Sequence, residues 1–135
     1  MEKECGADNG FSGVNVWTEG SLTPLVRKDT EDSMTLISEN AYADWWKVKL
    51  EWPLTLTEGK TYEVTFVFTS NVTGTIKYNV NGAAYLNSNE YNVHNGANTF
   101  TVQFTAGAEG YSCLELGGLG AFELVFTGIY FNEIP

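Results

Sequence analysis

The sequence predicts an all-β fold, an antiparallel β-sandwich of the jelly-roll type. Apolar and polar residues alternate with period two over most of the chain, and helical periodicity is nearly absent. Glycine, asparagine and proline separate these alternating runs, as they do in the turns between antiparallel strands. Roughly seven to ten short strands fit into the chain, which predicts a single sandwich domain spanning residues 1–135.

The first strands are short and are separated by acidic loops such as residues 29–32. Alternation predicts them at 13–17, 24–28 and 33–38. The next predicted strand, 46–50, begins within an unusual run of tryptophan and lysine residues, "WWKVKLEW".

The later strands alternate more clearly. They are predicted at 61–68, 74–80, 98–105, 112–116 and 121–134. Asn81-Gly82 directly follows one of them and is the dipeptide typical of a type I′ hairpin turn. Residues 56–60, "LTEGK", form a second polar turn that contains glycine, and the asparagine-rich segment 85–98 is predicted as a loop.

Charge and hydropathy limit the partners of this domain. The net charge of −10 disfavours nucleic acid and anionic membranes, but it is compatible with a neutral glycan. No apolar run approaches the ~20 residues that a membrane-spanning helix needs. The first ten residues lack the apolar segment of a signal peptide, although a leader could have been removed.

The two cysteines leave two alternatives open. Cys5 and Cys113 could form a disulfide that ties the amino-terminal arm to a late strand, or both could be free buried thiols. Neither has the spacing or the neighbouring histidines of a zinc site. The acidic loops 29–32 and 39–44 offer oxygen ligands for calcium, but solvated acidic loops are commoner, so no metal or cofactor is predicted.

Alternation also assigns side chains to the two faces of each strand. In 46–50, Trp46 has the parity of Val48 and Leu50, which are expected to face the core. If the strands at 46–50, 61–68, 98–105 and 112–116 share one sheet, its outer face carries an indole, amides, hydroxyls and isolated charges. The outward residues that we select as candidates are Trp45, Lys47, Lys49, Gln103 and Glu115.

Such a face is suited to binding sugars. A pyranose ring presents C–H groups on one face and hydroxyls at its rim, and proteins bind it by stacking an aromatic ring on the C–H face and by hydrogen bonding the rim. Trp45 is the expected platform, and Trp46 could still expose one ring face at the rim of the sandwich. Tyr91 and Tyr85, in the polar loop, are expected to close one side of the site.

The other two tryptophans are assigned differently. Trp52 precedes a proline and has core parity with Leu50, so it is expected to pack inside or at the rim. Trp17 ends a short strand, and its sequence environment leaves it open as a core residue or as a second platform.

Catalysis is not predicted. His94 is the only histidine and falls in a polar loop, so a histidine relay or metal triad has no second member. Glu115 could pair with Glu63 or Glu123 as a glycosidase needs, but 17 acidic residues in this chain make chance pairs frequent. No nucleophile elbow or phosphate-binding glycine loop is present in the sequence.

The ordered set of motifs resembles a known family. "WWKVKLEWPLTLTEGKTYEVTFVF" is similar to the "W-x-V-Q-L … L-x-x-G-x-x-Y-x-V-x-F" signature of β-sandwich carbohydrate-binding modules of the family 4, 16 and 22 type. "NTFTVQFTA" and "CLELGGLGAFELVFTGIYFNEI" resemble the closing half, "F-x-F-x-x-x-F-Q-L-G-G … F-x-I-D-D-V-x-L". The resemblance covers residues 45–133. The adjacent tryptophans also resemble a paired-tryptophan glucan-binding surface of modules from rumen-bacterial plant-wall enzymes.

The resemblance implies non-catalytic binding of a plant β-glycan on the concave face of a jelly roll. It also implies that the amides of "V-Q-L" and "F-Q-L" face the ligand, and here those positions hold Lys49 and Glu115. Thr127 and Gly128 replace a carboxylate pair that often holds calcium in the family, so that ion is not expected.

The expected function is therefore that of a secreted, monomeric module of a larger plant-wall enzyme, with a polysaccharide as its partner. The ligand would be β-1,4-linked or mixed-linkage glucan, xyloglucan or another hemicellulose. The alternative is a cell-surface adhesion or protein-interaction domain of the same fold, whose aromatic residues would form one contiguous apolar patch.

Overall fold

The computed structural model describes residues 2–4, 11, 13–54, 56–80, 90–107 and 110–135. Within these residues, eleven strands and two short 3-10 helices are present. The strands are β1 (Glu2–Glu4), β2 (Asn15–Thr18), β3 (Val26–Asp29), β4 (Met34–Ser38), β5 (Val48–Leu54), β6 (Thr61–Ser70), β7 (Gly74–Val80), β8 (Glu90–Val93), β9 (Gly96–Thr105), β10 (Gly110–Glu115) and β11 (Phe122–Ile134). The 3-10 helices span Trp45–Lys47 and Gly117–Leu119. No helix in these ranges is long and apolar enough to cross a membrane.

The strands form two antiparallel sheets. The six-stranded sheet has the order β3-β4-β11-β6-β9, and β1 pairs with the carboxyl-terminal half of β11. The five-stranded sheet has the order β2-β5-β10-β7-β8. The predicted all-β sandwich is confirmed.

The core lies between the two sheets and is filled by the alternating residues of each strand. Along β6 the inward residues are fully buried, as predicted for 61–68. Trp52 of β5 is 1 % exposed, and its ring packs edge-on against Phe66 and stacks on Tyr78 at centroid distances of 5.5 and 6.2 Å. The expectation that Trp52 belongs to the core is therefore confirmed.

All but one of the predicted strands are present in the structure. The runs predicted at 13–17, 24–28, 33–38, 61–68, 74–80, 98–105, 112–116 and 121–134 are all strands, and their ends shift by two residues or fewer. The predicted turn at 56–60 is present: Lys60 N donates to Thr57 O at 3.1 Å, and Gly59 adopts a φ of 86°. Asn81-Gly82 lies outside the described residues, and β8 occupies part of the segment predicted as a loop.

The exception is the strand predicted at 46–50. Trp45, Trp46 and Lys47 form a 3-10 helix, closed by a 2.9 Å hydrogen bond from Lys47 N to Asp44 O, and β5 begins only at Val48. Period-two alternation holds only for extended backbone, so the parity that assigned Trp46 to the core side does not apply, and Trp46 is exposed whereas Trp45 is only partly exposed.

The second correction concerns the sheets. The condition that these four strands share one sheet is not met, because β5 and β10 belong to the five-stranded sheet whereas β6 and β9 belong to the six-stranded sheet. Alternation determines whether a side chain faces the core, but it does not determine which sheet its strand joins.

Candidate functional site

A row of polar residues and one tryptophan crosses the outer face of the five-stranded sheet. Each member is paired directly with the next across neighbouring strands, because Trp17 is opposite Lys49, Lys49 is opposite Glu115, and Glu115 is opposite Lys77. Glu90 on β8 completes the row opposite Lys77. Lys49, Lys77 and Glu115 face away from the core because their neighbours along the strands are buried. Trp17 and Glu90 share this face because they pair directly with Lys49 and Lys77. We call Trp17, Lys49, Glu115, Lys77 and Glu90 the polar row.

The charges of the polar row are paired with one another or with adjacent residues. Lys77 Nζ lies 3.7 Å from Glu90 Oε1, and Lys49 Nζ lies 3.9 Å from Glu51 Oε2. Asn79 Nδ2 donates to Glu115 Oε1 at 3.1 Å. Pairs of this exposure contribute little to stability, but they leave the face close to electrically neutral and lined with donors and acceptors.

Two tryptophans form a shelf at the β2 end of the polar row. The rings of Trp17 and Trp46 are stacked, with centroids 6.1 Å apart and planes inclined by 24°. Trp46 is 47 % exposed, although its parity predicted the core side. Lys49 Nζ lies 4.9 Å from the Trp17 ring and Lys47 Nζ lies 5.7 Å from the Trp46 ring, distances at which an ammonium group interacts with an indole face. We call Trp17 and Trp46 the indole shelf.

Trp45 is the more enclosed of the adjacent pair. Its six-membered ring packs against the backbone of Gly118, where an added Cβ would lie 2.7 Å from Cε3 and Cζ3. Lys77 Nζ lies 4.6 Å from the Trp45 ring centroid. The expected order of exposure is therefore reversed, because the 3-10 helix turns Trp46 outward and Trp45 toward the glycine loop.

The sequence "GGLG" at 117–120 explains how the segment that contains Trp45 and Trp46 can pack so close to this loop. Ala43 N donates to Gly117 O at 3.1 Å, and a Cβ at Gly117 would collide with the carbonyl oxygen of Asp44. A side chain at Gly118 would displace Trp45. Gly120 adopts a φ of 72°, which favours glycine. This glycine loop therefore supports the segment that contains Trp45 and Trp46.

Gln103 and Tyr91 do not join this face. Gln103 lies on β9 of the six-stranded sheet, where its Nε2 donates to Glu63 Oε2 at 3.1 Å, so its predicted place beside Lys49 and Glu115 is wrong. Tyr91 is opposite the buried Ile76 and therefore faces inward, with its ring 5.5 Å from that of Phe100. Burial raises the pKa of the Tyr91 hydroxyl. Its predicted role of closing the outer site is also wrong, because β8 presents it to the core.

The other predicted residues are distributed as follows. Lys47, Lys49 and Glu115 lie with Trp45 and Trp46 around the five-stranded sheet, and Tyr85 lies outside the described residues. Lys49 and Glu115 are directly opposite each other, at the two positions where the family resemblance implies ligand-facing amides.

Sequence reasoning missed Lys77 and Asn79, and it left Trp17 open between the core and a second platform. The alternation of β7 places Lys77 and Asn79 outward, and that signal was present in the sequence. Alternation could not show which sheet each strand joins or which strands are its neighbours.

The other candidate groups are dispersed over the described part of the structure. Glu63 and Glu123 lie on the six-stranded sheet, so neither forms the proposed pair with Glu115 on the other sheet. His94 is exposed in the turn before β9. Among the described residues, no group of three or more histidine, cysteine or acidic side chains could hold a metal ion.

Cys113 is a free, buried thiol on the same face as Glu115, directly opposite Glu51 and Asn79. Burial raises its pKa to about 12, with a smaller opposing effect of the Lys49 charge. Its proposed partner Cys5 lies outside the described residues.

Comparison with known proteins identifies the fold. No protein-family model matches the chain, and no curated protein sequence matches it either. Among solved structures, the N-terminal cellulose-binding domain of β-1,4-glucanase C from Cellulomonas fimi is 22 % identical over 95 % of this chain and 93 % of that chain, with a TM-score of 0.64. A CBM4 module, of carbohydrate-binding module family 4, is 21 % identical over 94 % and 99 % of the two chains, with a TM-score of 0.66. The CBM22-1 xylan-binding domain of Paenibacillus barcinonensis Xyn10C is 8 % identical over 99 % and 93 %, with a TM-score of 0.61. The chain therefore has the β-sandwich fold of carbohydrate-binding modules similar to those of families 4 and 22.

Proposed function

We propose that this chain is a non-catalytic carbohydrate-binding module, and that its ligand is a plant cell-wall β-glucan. The observation that carries the proposal is the indole shelf at one end of the polar row on the outer face of the five-stranded sheet. This combination joins a flat aromatic surface to a line of hydrogen-bonding groups.

The chemistry of the face matches a chain of pyranose rings. Trp46 offers an exposed ring for the C–H face of a sugar, and Lys49 and Glu115 lie further along the row to bond hydroxyls. From Trp17 to Glu90 the row crosses four inter-strand spacings, or about 19 Å at ~4.8 Å each. This length suits an extended chain, such as β-1,4-linked or mixed-linkage glucan, better than a single monosaccharide.

The pairing of charges supports a neutral ligand. Lys77 with Glu90 and Lys49 with Glu51 already neutralise each other, so an acidic polymer would find no unpaired cluster of cations in the polar row. We expect affinities of about 10–100 μM, which correspond to about −5.5 to −7 kcal/mol. Xyloglucan and other hemicelluloses belong to the same ligand class, and the structural similarity to cellulose- and xylan-binding domains is consistent with it.

The biological role that follows is targeting. The module would be part of a secreted, multi-domain enzyme, would act as a monomer, and would hold an appended glycoside hydrolase at its polysaccharide. We assign no catalytic role to the described carboxylates of this face: Glu115 accepts a hydrogen bond from Asn79, and Glu90 and Glu51 are ion-paired with lysines.

A protein-interaction domain of the same fold is the second candidate. It would require a contiguous apolar patch, which at a stable interface covers several hundred Å² on each partner. The exposed large hydrophobic residues of the described chain are Val26, Tyr42 and Trp46, and Val26 lies on the six-stranded sheet whereas Trp46 lies beside the other sheet. This distribution favours a separate ring platform within polar surroundings, and therefore the sugar-binding function.

Affinity electrophoresis in gels containing barley β-glucan, xyloglucan, glucomannan or xylan tests the proposal. The wild type should be retarded by at least one glucan, and Trp46→Ala should lose most of this retardation. The exposed part of a tryptophan corresponds to roughly 120 Å² when 47 % of ~250 Å² is free, and covering half of it is worth about 1.5 kcal/mol, or about tenfold in affinity.

Val26→Ala is the matched control, because Val26 is 46 % exposed and lies on β3 of the other sheet. It should migrate as the wild type does. Unretarded migration of the wild type in every gel would reject the proposed function, and equal retardation of wild type and Trp46→Ala would reject the assignment of the shelf.

A further inference from the structure

A concave pocket lies around the edge of the sandwich from the polar row. It is a pocket of about 400 Å³ between β2, which ends the five-stranded sheet, and β3, which ends the described order of the six-stranded sheet. Asn15, Trp17, Thr18, Pro24, Leu25 and Arg27 line it. Trp17 thus belongs both to the indole shelf and to the wall of this pocket.

The wall opposite β2 is held by hydrogen bonds. Leu25 N donates to Thr18 Oγ1 at 3.3 Å across the mouth of the 19–24 loop. Asn40 fixes the same loop from behind, since its Oδ1 accepts from Thr23 N at 3.0 Å and its Nδ2 donates to Thr23 O at 2.8 Å. Glu19 N donates to Lys47 O at 2.8 Å, which joins the loop to the segment of the indole shelf. The pocket is therefore preorganised together with the shelf.

The positively charged guanidinium of Arg27 is already paired with partners in this structure. Its guanidinium donates to the Asp29 carboxylate at 2.9 Å, to Phe11 O at 2.6 Å, and to Val14 O. Among the described residues that line the pocket, none therefore offers a free cation for an anionic group. Its other walls combine the Asn15 side chain and the edge backbone of two strands with the apolar Pro24 and Leu25, a mixture that matches an uncharged, hydroxylated ligand.

The pocket is large enough for one sugar unit. At ~30 Å³ for each water in the liquid, 400 Å³ holds about 13 waters, which is more space than the roughly dozen covalently bonded non-hydrogen atoms of one hexose unit require. A chain that runs along the polar row and passes the indole shelf reaches this pocket next, because Trp17 borders both.

We propose that the β2–β3 edge pocket is an additional sugar subsite, which takes the neutral hexose unit that follows the one stacked on the indole shelf. This inference rests on the proposed glycan-binding function and adds a subsite beyond the sheet face. The Asn15 amide is the side chain assigned to that sugar's hydroxyls, and Pro24 and Leu25 are assigned to its apolar face.

Isothermal titration with cellotriose, cellotetraose, cellopentaose and cellohexaose tests the subsite. In the wild type, the affinity should rise at the length that fills the pocket. Asn15→Ala should lose about threefold to tenfold in affinity for oligosaccharides of that length and longer, and nothing for shorter ones, because one hydrogen-bonding side chain is removed. Asn132→Ala is the matched control, since Asn132 is a partly exposed amide on β11 of the other sheet.

The outcomes separate the two proposals. If Trp46→Ala weakens every oligosaccharide while Asn15→Ala behaves as the wild type at all lengths, the edge subsite is rejected and the glycan-binding face stands. A uniform loss in Asn15→Ala at every length would also reject the subsite, because it would assign Asn15 to the shared face. If the wild type binds neither these oligosaccharides nor the polysaccharides, both proposals are rejected. Thermal unfolding of each variant verifies that it is folded.

Discussion

Replacement of Gly118 by alanine tests whether the close packing of Trp45 requires glycine at this position of the 117–120 loop. An ideal Cβ at Gly118 lies 2.7 Å from Cε3 and Cζ3 of Trp45 and 3.0 Å from Cη2. Carbon atoms in favourable contact are about 3.5–4.0 Å apart, so the indole or the loop must move by about 1 Å. No other change accompanies the methyl group, which makes the geometry of the perturbation simple.

The expected magnitude follows from this overlap. Overpacking by one methyl group in a tight site costs about 1–3 kcal/mol, because side chains leave their preferred rotamers or the backbone shifts. Loss of chain entropy in the unfolded state would act in the opposite direction by about 0.4–1 kcal/mol. We therefore expect a net loss of about 1–2 kcal/mol in the free energy of unfolding, and a Tm lower by roughly 3–10 °C for a domain of this size.

Urea unfolding followed by tryptophan fluorescence measures this change, and near-ultraviolet circular dichroism reports the altered packing of Trp45. Gly20→Ala is the control, because a Cβ at Gly20 meets nothing within 4 Å and its φ is not in the left-handed region. Gly118→Ala should unfold at a lower urea concentration than both the wild type and Gly20→Ala. Equal midpoints for the two variants would refute the argument that Gly118 is required by the close approach of Trp45.

Three further predictions concern stability, reactivity and salt. Asn98→Ala should lower the free energy of unfolding by about 2–4 kcal/mol, because the buried amide bonds the backbone of His94 and Gly96 at 2.8–3.0 Å; an unchanged urea midpoint would contradict this. Cys113 should resist thiol reagents at pH 8, because folding raises the pKa of its thiol from 9.0 to about 12. For the same reason, its contribution to the free energy of unfolding should be complete below pH 9 and decline between pH 9 and 12. Cys113→Ala should therefore show a weaker decline of stability over that interval than the wild type, and parallel curves would exclude the effect. Glucan affinity should change little between about 0.01 and 0.5 M NaCl, since the ligand is neutral; a steep fall, measured by titration calorimetry, would indicate a charged ligand instead.

Much of the fold was predictable because strand structure leaves a local signal. Alternation in 61–68 placed Tyr62, Val64, Phe66 and Phe68 toward the core, and all four are buried. Every inward residue on such a strand is two positions from the next, so the pattern can be read from a short window. The assignment of Trp52 to the core followed from the same rule.

The same rule failed where the backbone is not extended. At Trp45–Lys47 the chain forms a 3-10 helix, and the more exposed indole is Trp46 rather than Trp45. The signal for this turn lies far away in the sequence, in the glycines at 117 and 118 that admit the 42–45 segment so closely. The residues next to Trp45 and Trp46 in the sequence give no indication of that contact.

The sequence by itself determined the class of the fold, the inward faces of its strands and the chemical character of the residues available for a site. Only the tertiary structure decided which of them meet, because sheet membership and strand order depend on hydrogen bonds between segments far apart in the chain. Trp17, Lys49, Lys77 and Glu115 come from four strands and form one row through antiparallel register, while Gln103 is carried to the opposite side of the sandwich. Pairing energies of this kind are summed over whole strands and the core between the sheets, and no short stretch of residues encodes them.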